Sequence, residues 1–127
     1  MLETVDLSVK LDKQTYKQQV EPLKLKLDAL QRTVQEKQLP VVLLLEGWDA
    51  AGKGEVLSGL LSTLDPRNFK TIVSKQPTAE DARKPFLWRH WASIPRAGRF
   101  SIYAPGWYCE IIPGRWHGTI KQNEAYL

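Results

Sequence analysis

The chain has 127 residues, 18 Lys+Arg against 14 Asp+Glu for a net charge of +4, and 43% hydrophobic with 25% charged residues. That is the make-up of one soluble globular domain with its own core, and it excludes a wholly disordered chain. No apolar run approaches the ~20 residues that cross a bilayer, and Met1–Asp6 lacks the basic and apolar regions of a signal peptide, so the expected location is cytoplasmic with no membrane contact. The single cysteine, Cys109, excludes an internal disulfide and has no acid–base partner nearby in sequence that would make it a nucleophile.

Asp12 reads as the N-cap of a first helix, in which Tyr16, Val20, Leu23, Leu27, Leu30 and Val34 recur at alternating steps of four and three. Pro22 predicts a kink, or two helices meeting near Glu21. This helical segment, residues 1–38, either packs on the body of the domain or forms the seam of a homo-oligomer; both readings stay open.

Residues 39–127 are expected to form an α/β domain. The apolar run Val41–Leu45 predicts a buried strand ending at Glu46. Directly after it stands Gly47-Trp48-Asp49-Ala50-Ala51-Gly52-Lys53-Gly54, followed by the apolar positions Val56, Leu57, Leu60, Leu61 and Leu64 of an amphipathic helix. Strand, glycine-bracketed turn, lysine and helix in that order predict a phosphate-binding loop. In such a loop the backbone N–H groups of Gly47, Ala50, Ala51, Gly52, Lys53 and Gly54 surround phosphate oxygens, the lysine neutralises charge, and the helix N-terminus adds partial positive charge. Gly54 stands where a serine or threonine usually ligates magnesium, which leaves Asp49, inside the loop, as the candidate metal ligand.

Asp65–Asn68 predicts a turn, Phe69–Ser74 a second strand closed by Gln76-Pro77, and Thr78 the N-cap of a helix toward Ser93, with Trp88 and Trp91 on a core-facing side. Pro95–Gly98 turns the chain into a third strand, Arg99–Tyr103, and Thr119–Leu127 resembles the opening of another helix. The order β-α-β-α-β predicts helices packed against a parallel sheet, and three strands are few enough that the chain reads as the first part of a longer domain. Residues 67–99 carry eight Lys/Arg against two Asp/Glu. This basic excess is expected beside the phosphate loop, where a long anion would meet it, or else as a solvated face. His90 and His117 have no zinc-ligand spacing. Arg115 and His117 fall either in a lid over the phosphate site or in a surface turn.

Together, the loop Glu46–Gly54, Asp65-Pro66-Arg67, Pro77–Asp81, Pro85-Phe86-Leu87-Trp88-Arg89-His90-Trp91 and Gly106-Trp107-Tyr108 resemble the polyphosphate kinase 2 family over roughly residues 10–127. The resemblance implies a three-layer P-loop kinase-like fold, incomplete here at its C-terminal end. It also implies transfer of phosphate between inorganic polyphosphate and a nucleotide with magnesium or manganese. It assigns Asp49 to metal and catalysis, Lys53 to the loop lysine, and Lys75 and Arg89 to phosphate handling. Where catalytic members carry an Asp-Arg pair at the end of the third strand, this chain has Ala104-Pro105, with Glu110 two residues past Tyr108 as a weak substitute carboxylate. That loss is similar to the N-terminal domains of two-domain polyphosphate:AMP phosphotransferases, which makes AMP the favoured acceptor. The alternatives are an independently active kinase and a binding module without chemistry, for which nucleic acid is the less favoured ligand because the aromatic residues pattern as core.

Overall fold

The computed structural model describes residues 9–75 and 77–118; the expected helix start at Thr119–Leu127 and Gln76 lie outside them. Helix α1 spans Lys13–Glu36 and opens as expected on Asp12, whose carboxylate accepts the N–H groups of Gln14 and Thr15, both at 2.9 Å. Of the two readings at Pro22, two separate helices are excluded: α1 runs through the proline as one helix. Proline there removes one i→i−4 bond, and the carbonyl it would have met belongs to Gln18, on an exposed stretch of the helix. The helix ends in a Schellman turn: Leu39 N–H reaches Val34 O at 3.0 Å and Gln38 N–H reaches Gln35 O at 3.1 Å, with Gln38 left-handed at φ 53°.

Three four-residue strands follow: β1 (Val41–Leu44), β2 (Phe69–Ile72) and β3 (Phe100–Tyr103), slightly shorter than the apolar runs predicted. The sheet is parallel with order β1-β3-β2. Helix α2 (Lys53–Leu61) joins β1 to β2, but β2 is not β1's neighbour; β3 inserts between them. Enclosed by a strand on each side, β3 is buried along its whole length, with Ile102 and Tyr103 at 0% exposure.

Side chains alternate across the sheet, and the alternation of β3 builds the layers. Phe100 and Ile102 point into a core with Val34 of α1 and Leu64, onto which Leu27, Leu57, Leu60, Leu61, Val41 and Leu43 pack. Ser101 and Tyr103 point the other way: Ser101 Oγ donates to Ser93 O at 2.8 Å and Tyr103 Oη to His90 O at 2.8 Å. Helix α3 (Trp88–Trp91) thus lies on that second face, as does Trp107 at the head of helix α4 (Tyr108–Trp116), whose ring centroid is 5.2 Å from that of Tyr103. This is the α/β arrangement of helices on both faces of a parallel sheet. Of the seam on α1, Val34 is buried and Leu27 packs on the core, while Tyr16, Leu23 and Leu30 stay exposed. Gln31 is buried with them, its amide accepting Asp65 N–H at 2.8 Å and donating to Asp65 O at 3.3 Å, which ties α1 to the turn before β2.

The helix expected from Thr78 to Ser93 does not form. Its start is present: the Asp81 carboxylate accepts from Thr78 N at 2.8 Å and Oγ1 at 2.7 Å, and Thr78 Oγ1 accepts from Asp81 N at 3.2 Å. Only a 3-10 turn, Asp81–Arg83, follows, because Pro85 forces the preceding Lys84 out of the helical region to φ −120°, ψ 160°. With the helix shortened, Trp88 and Trp91 do not enter the core; both are exposed, Trp88 under the Lys84 ammonium at 3.4 Å from its ring centroid. His90 takes the inner position at 4% exposure.

Candidate phosphate site at the strand C-terminal edge

In an open parallel sheet, ligands gather outside the C-terminal ends of the strands. Here that edge is formed by Leu45–Gly54 after β1, Val73–Lys75 after β2 and Ala104–Trp107 after β3. The loop after β1 takes the shape its glycines permit: Gly47, Ala50 and Gly52 have φ of 152°, 60° and 83°, and Gly52 is the left-handed residue on which α2 begins. The first-turn N–H groups of α2 have no intrahelical acceptor and point toward the loop mouth. Lys53 folds back over that mouth, its Nζ donating to Gly47 O at 2.8 Å and Trp48 O at 2.6 Å. The ammonium is therefore held at the centre of the loop by two carbonyls. Asp49, Ala50, Ala51 and Gly54 are exposed. Among the described residues no hydrogen-bond donor engages the Asp49 carboxylate. A Cβ added at Gly54 would meet nothing within 4 Å, so no steric reason excludes a hydroxyl residue there.

The end of β3 offers Ala104 and Pro105, and a carboxylate from the segment after β1 reaches the residues that follow. Glu46, at the end of β1, reaches across so that a side chain at Gly106 would collide with its carboxylate, and its Oε1 accepts Tyr108 N–H at 3.1 Å. After β2, the Arg89 guanidinium bonds Lys75 O through Nη1 at 2.5 Å and forms an ion pair with Glu110 of α4 through Nη2. Ser74 Oγ also donates to Glu110. The pair is largely shielded, at 15% and 25% side-chain exposure. A cavity of about 90 Å³ lies beside it, lined by Ser74, Lys75, Cys109 and Glu110. Burial raises the Cys109 thiol above its ordinary range, and the charges of Glu46 and Glu110 push it further up while Lys53 pulls it down. Cys109 thus sits between the loop and the Arg89–Glu110 pair, as an inert thiol.

The loop residues and Lys53 stand together as the sequence predicted, and Lys75 and Arg89 meet each other at the end of β2. Glu46 and Ser74 were not foreseen; Glu46 was visible as the strand-ending acid, but its contact with Gly106 and Tyr108 depends on β1 lying beside β3. The basic excess of residues 67–99 is divided: Lys75 and Arg89 stand at the C-terminal edge after β2, whereas Lys70, Arg96 and Arg99 line a cavity where β2 and β3 begin. Arg115 lies inside α4 and His117 caps it, so both belong to a helix end. His90 is enclosed by the rings of Phe86, Tyr103 and Trp107, and burial, aided by the Arg89 charge, lowers its pKa. Among the described residues no group of three or more His, Cys, Asp or Glu could hold a metal ion, and no helix is long and apolar enough to cross a membrane.

The family model described as Polyphosphate kinase 2 (PPK2) matches residues 10–127. The chain belongs to the polyphosphate kinase 2 family. A polyphosphate:AMP phosphotransferase of Pseudomonas aeruginosa is 36% identical over 118 residues, 93% of this chain and 24% of that protein. An ADP-polyphosphate phosphotransferase of Rhodopseudomonas palustris is 34% identical over 67% of this chain and 29% of its own length. A crystal structure of a polyphosphate kinase 2 from Pseudomonas aeruginosa superposes with a TM-score of 0.83 at 34% identity, covering 97% of this chain and 27% of that one. The chain spans about a quarter of the length of these polyphosphate kinase 2 relatives.

Proposed function

We propose that this chain is the phosphate-binding part of a polyphosphate-dependent nucleotide phosphotransferase of the polyphosphate:AMP type, in which the loop Gly47–Gly54 binds phosphate and the end of β3 has lost its catalytic pair. The observation that carries the reading is Lys53, the first residue of α2, whose ammonium is held over the loop mouth by Gly47 O and Trp48 O. A phosphate entering the loop meets a cation already in place, with the free N–H groups of α2 behind it. The relatives' names, polyphosphate:AMP and ADP-polyphosphate phosphotransferase, support polyphosphate as one substrate and a nucleotide as the other.

In the transfer the bond between the terminal phosphorus and its bridging oxygen breaks, the shortened polyphosphate keeps that oxygen, and an oxygen of the AMP phosphate bonds to the transferred phosphorus. Lys53 and the loop amides hold the phosphate chain and balance charge on its oxygens. Magnesium takes one or two carboxylates together with substrate phosphates and water. The exposed Asp49 carboxylate, without a donor among the described residues, fits the single-carboxylate form of that site. Bound there, the ion would neutralise and orient phosphate oxygens.

A non-catalytic polyphosphate- or nucleotide-binding module is the second reading. It is favoured by Ala104-Pro105 at the β3 end and by Arg89, whose charge is already matched by Glu110. Magnesium- and polyphosphate-dependent conversion of AMP to ADP separates the two. Turnover by this chain that disappears in Lys53→Ala supports a kinase; Lys53-dependent polyphosphate binding with no turnover supports the binding module.

A further inference from the structure

Of the eight cations in residues 67–99, three are matched: Arg67 by Asp65, Lys84 by Glu80 and Arg89 by Glu110. The other five have no carboxylate within ion-pair distance among the described residues. Three of those five, Lys70, Arg96 and Arg99, line a single cavity of about 340 Å³. It opens where β2 and β3 begin, beneath the Ser93–Arg99 connection, so it lies at the opposite edge of the sheet from the phosphate loop. Four strand residues at about 3.3 Å each separate the two edges by roughly 10 Å or more. Among the described residues no acidic one lines the cavity, and Ala92, Ile94 and Pro95 add apolar lining.

We propose that this cavity is a second anion-binding site, distinct from the phosphate loop, that takes an oligophosphate of about three charges. Three cations with no counter-charge repel one another, and a cleft lined by one sign of charge with apolar walls concentrates the opposite ion. Two of the three are guanidinium groups, whose planar fork matches the oxygen pairs of phosphate and is over-represented at phosphate sites. The volume falls at the lower end of the range for small-ligand pockets; it accommodates a short phosphate chain and is too small for a folded nucleic acid. The proposal does not depend on the loop binding phosphate.

Amide spectra of the ¹⁵N-labelled chain, titrated with sodium tripolyphosphate against sodium chloride at matched ionic strength, test it. The expected result is a saturable shift of the Phe69, Lys70 and Ser93–Ser101 amides with tripolyphosphate alone. That shift persists in Lys53→Ala and weakens at least tenfold in affinity in Arg96→Gln/Arg99→Gln, where the loop amides still respond. The two arginines are exposed, so the double variant keeps its fold, and Lys70→Gln should weaken the same shift if it does not. The proposal is overturned if these amides do not shift, if chloride shifts them equally, if the arginine variant leaves the affinity unchanged, or if AMP shifts them and tripolyphosphate does not. Loop amides that respond to no phosphate, while the cavity amides do, would sink the loop reading and leave this one standing.

Discussion

The two halves of the strand C-terminal edge are equipped in opposite ways. After β1, the charge of Lys53 is held by two carbonyls and, among the described residues, by no acid, so it is available to an anion at little cost. After β2 and β3, Arg89 is already paired with Glu110, which Ser74 also holds, and the β3 end contributes no carboxylate of its own. The difference teaches that a basic residue near a phosphate site is not by itself a phosphate ligand. What decides is whether a protein carboxylate has already met its charge.

Neutralising that carboxylate sharpens the comparison most. Glu110→Gln removes the anion facing Arg89, and an incoming phosphate then gains a charge-assisted contact of about 1.5–3 kcal/mol, roughly tenfold or more in affinity. Calorimetry with tripolyphosphate checks this; an unchanged or weaker affinity in a folded Glu110→Gln protein would mean Arg89 does not face the bound chain. A smaller effect is expected in the loop half. Gly54→Ser puts a hydroxyl where an added Cβ meets nothing within 4 Å, and should strengthen magnesium binding in the presence of tripolyphosphate a few-fold. No gain would place the metal away from the start of α2.

The smallest effect concerns His90, buried under the Arg89 half. Its folded pKa lies below the ordinary 6.5, so the unfolded chain binds the proton more readily. The neutral ring's contribution is therefore fully present above pH 6.5 and is lost as pH falls toward the folded value. In His90→Phe the fall in melting temperature between pH 7 and 5 should be shallower than in the parent chain; parallel curves would show that His90 is not kept neutral by its surroundings.

The loop half was legible in the sequence because it is local: strand, glycines, lysine and helix lie within about two dozen consecutive residues and need no distant partner. The Asp12 cap was legible for the same reason. The second half was not. The helix after Thr78 had a correct start, yet Pro85 acts one residue upstream and turns Lys84 extended, and that exchanged the exposed and buried positions of Trp88, Trp91 and His90. The insertion of β3 between β1 and β2 is a long-range choice that no local pattern carries. Glu46 against Gly106, Gln31 against Asp65 and Arg89 against Glu110 all follow from the tertiary arrangement.

We propose above all that the loop after β1 binds phosphate through Lys53. Calorimetric titration of the chain and of Lys53→Ala with polyphosphate tests it most directly. Measurable binding to the parent chain is expected to fall by about 10–100-fold on loss of this charged donor. Equal affinity in the two proteins would contradict it and remove the loop from the site.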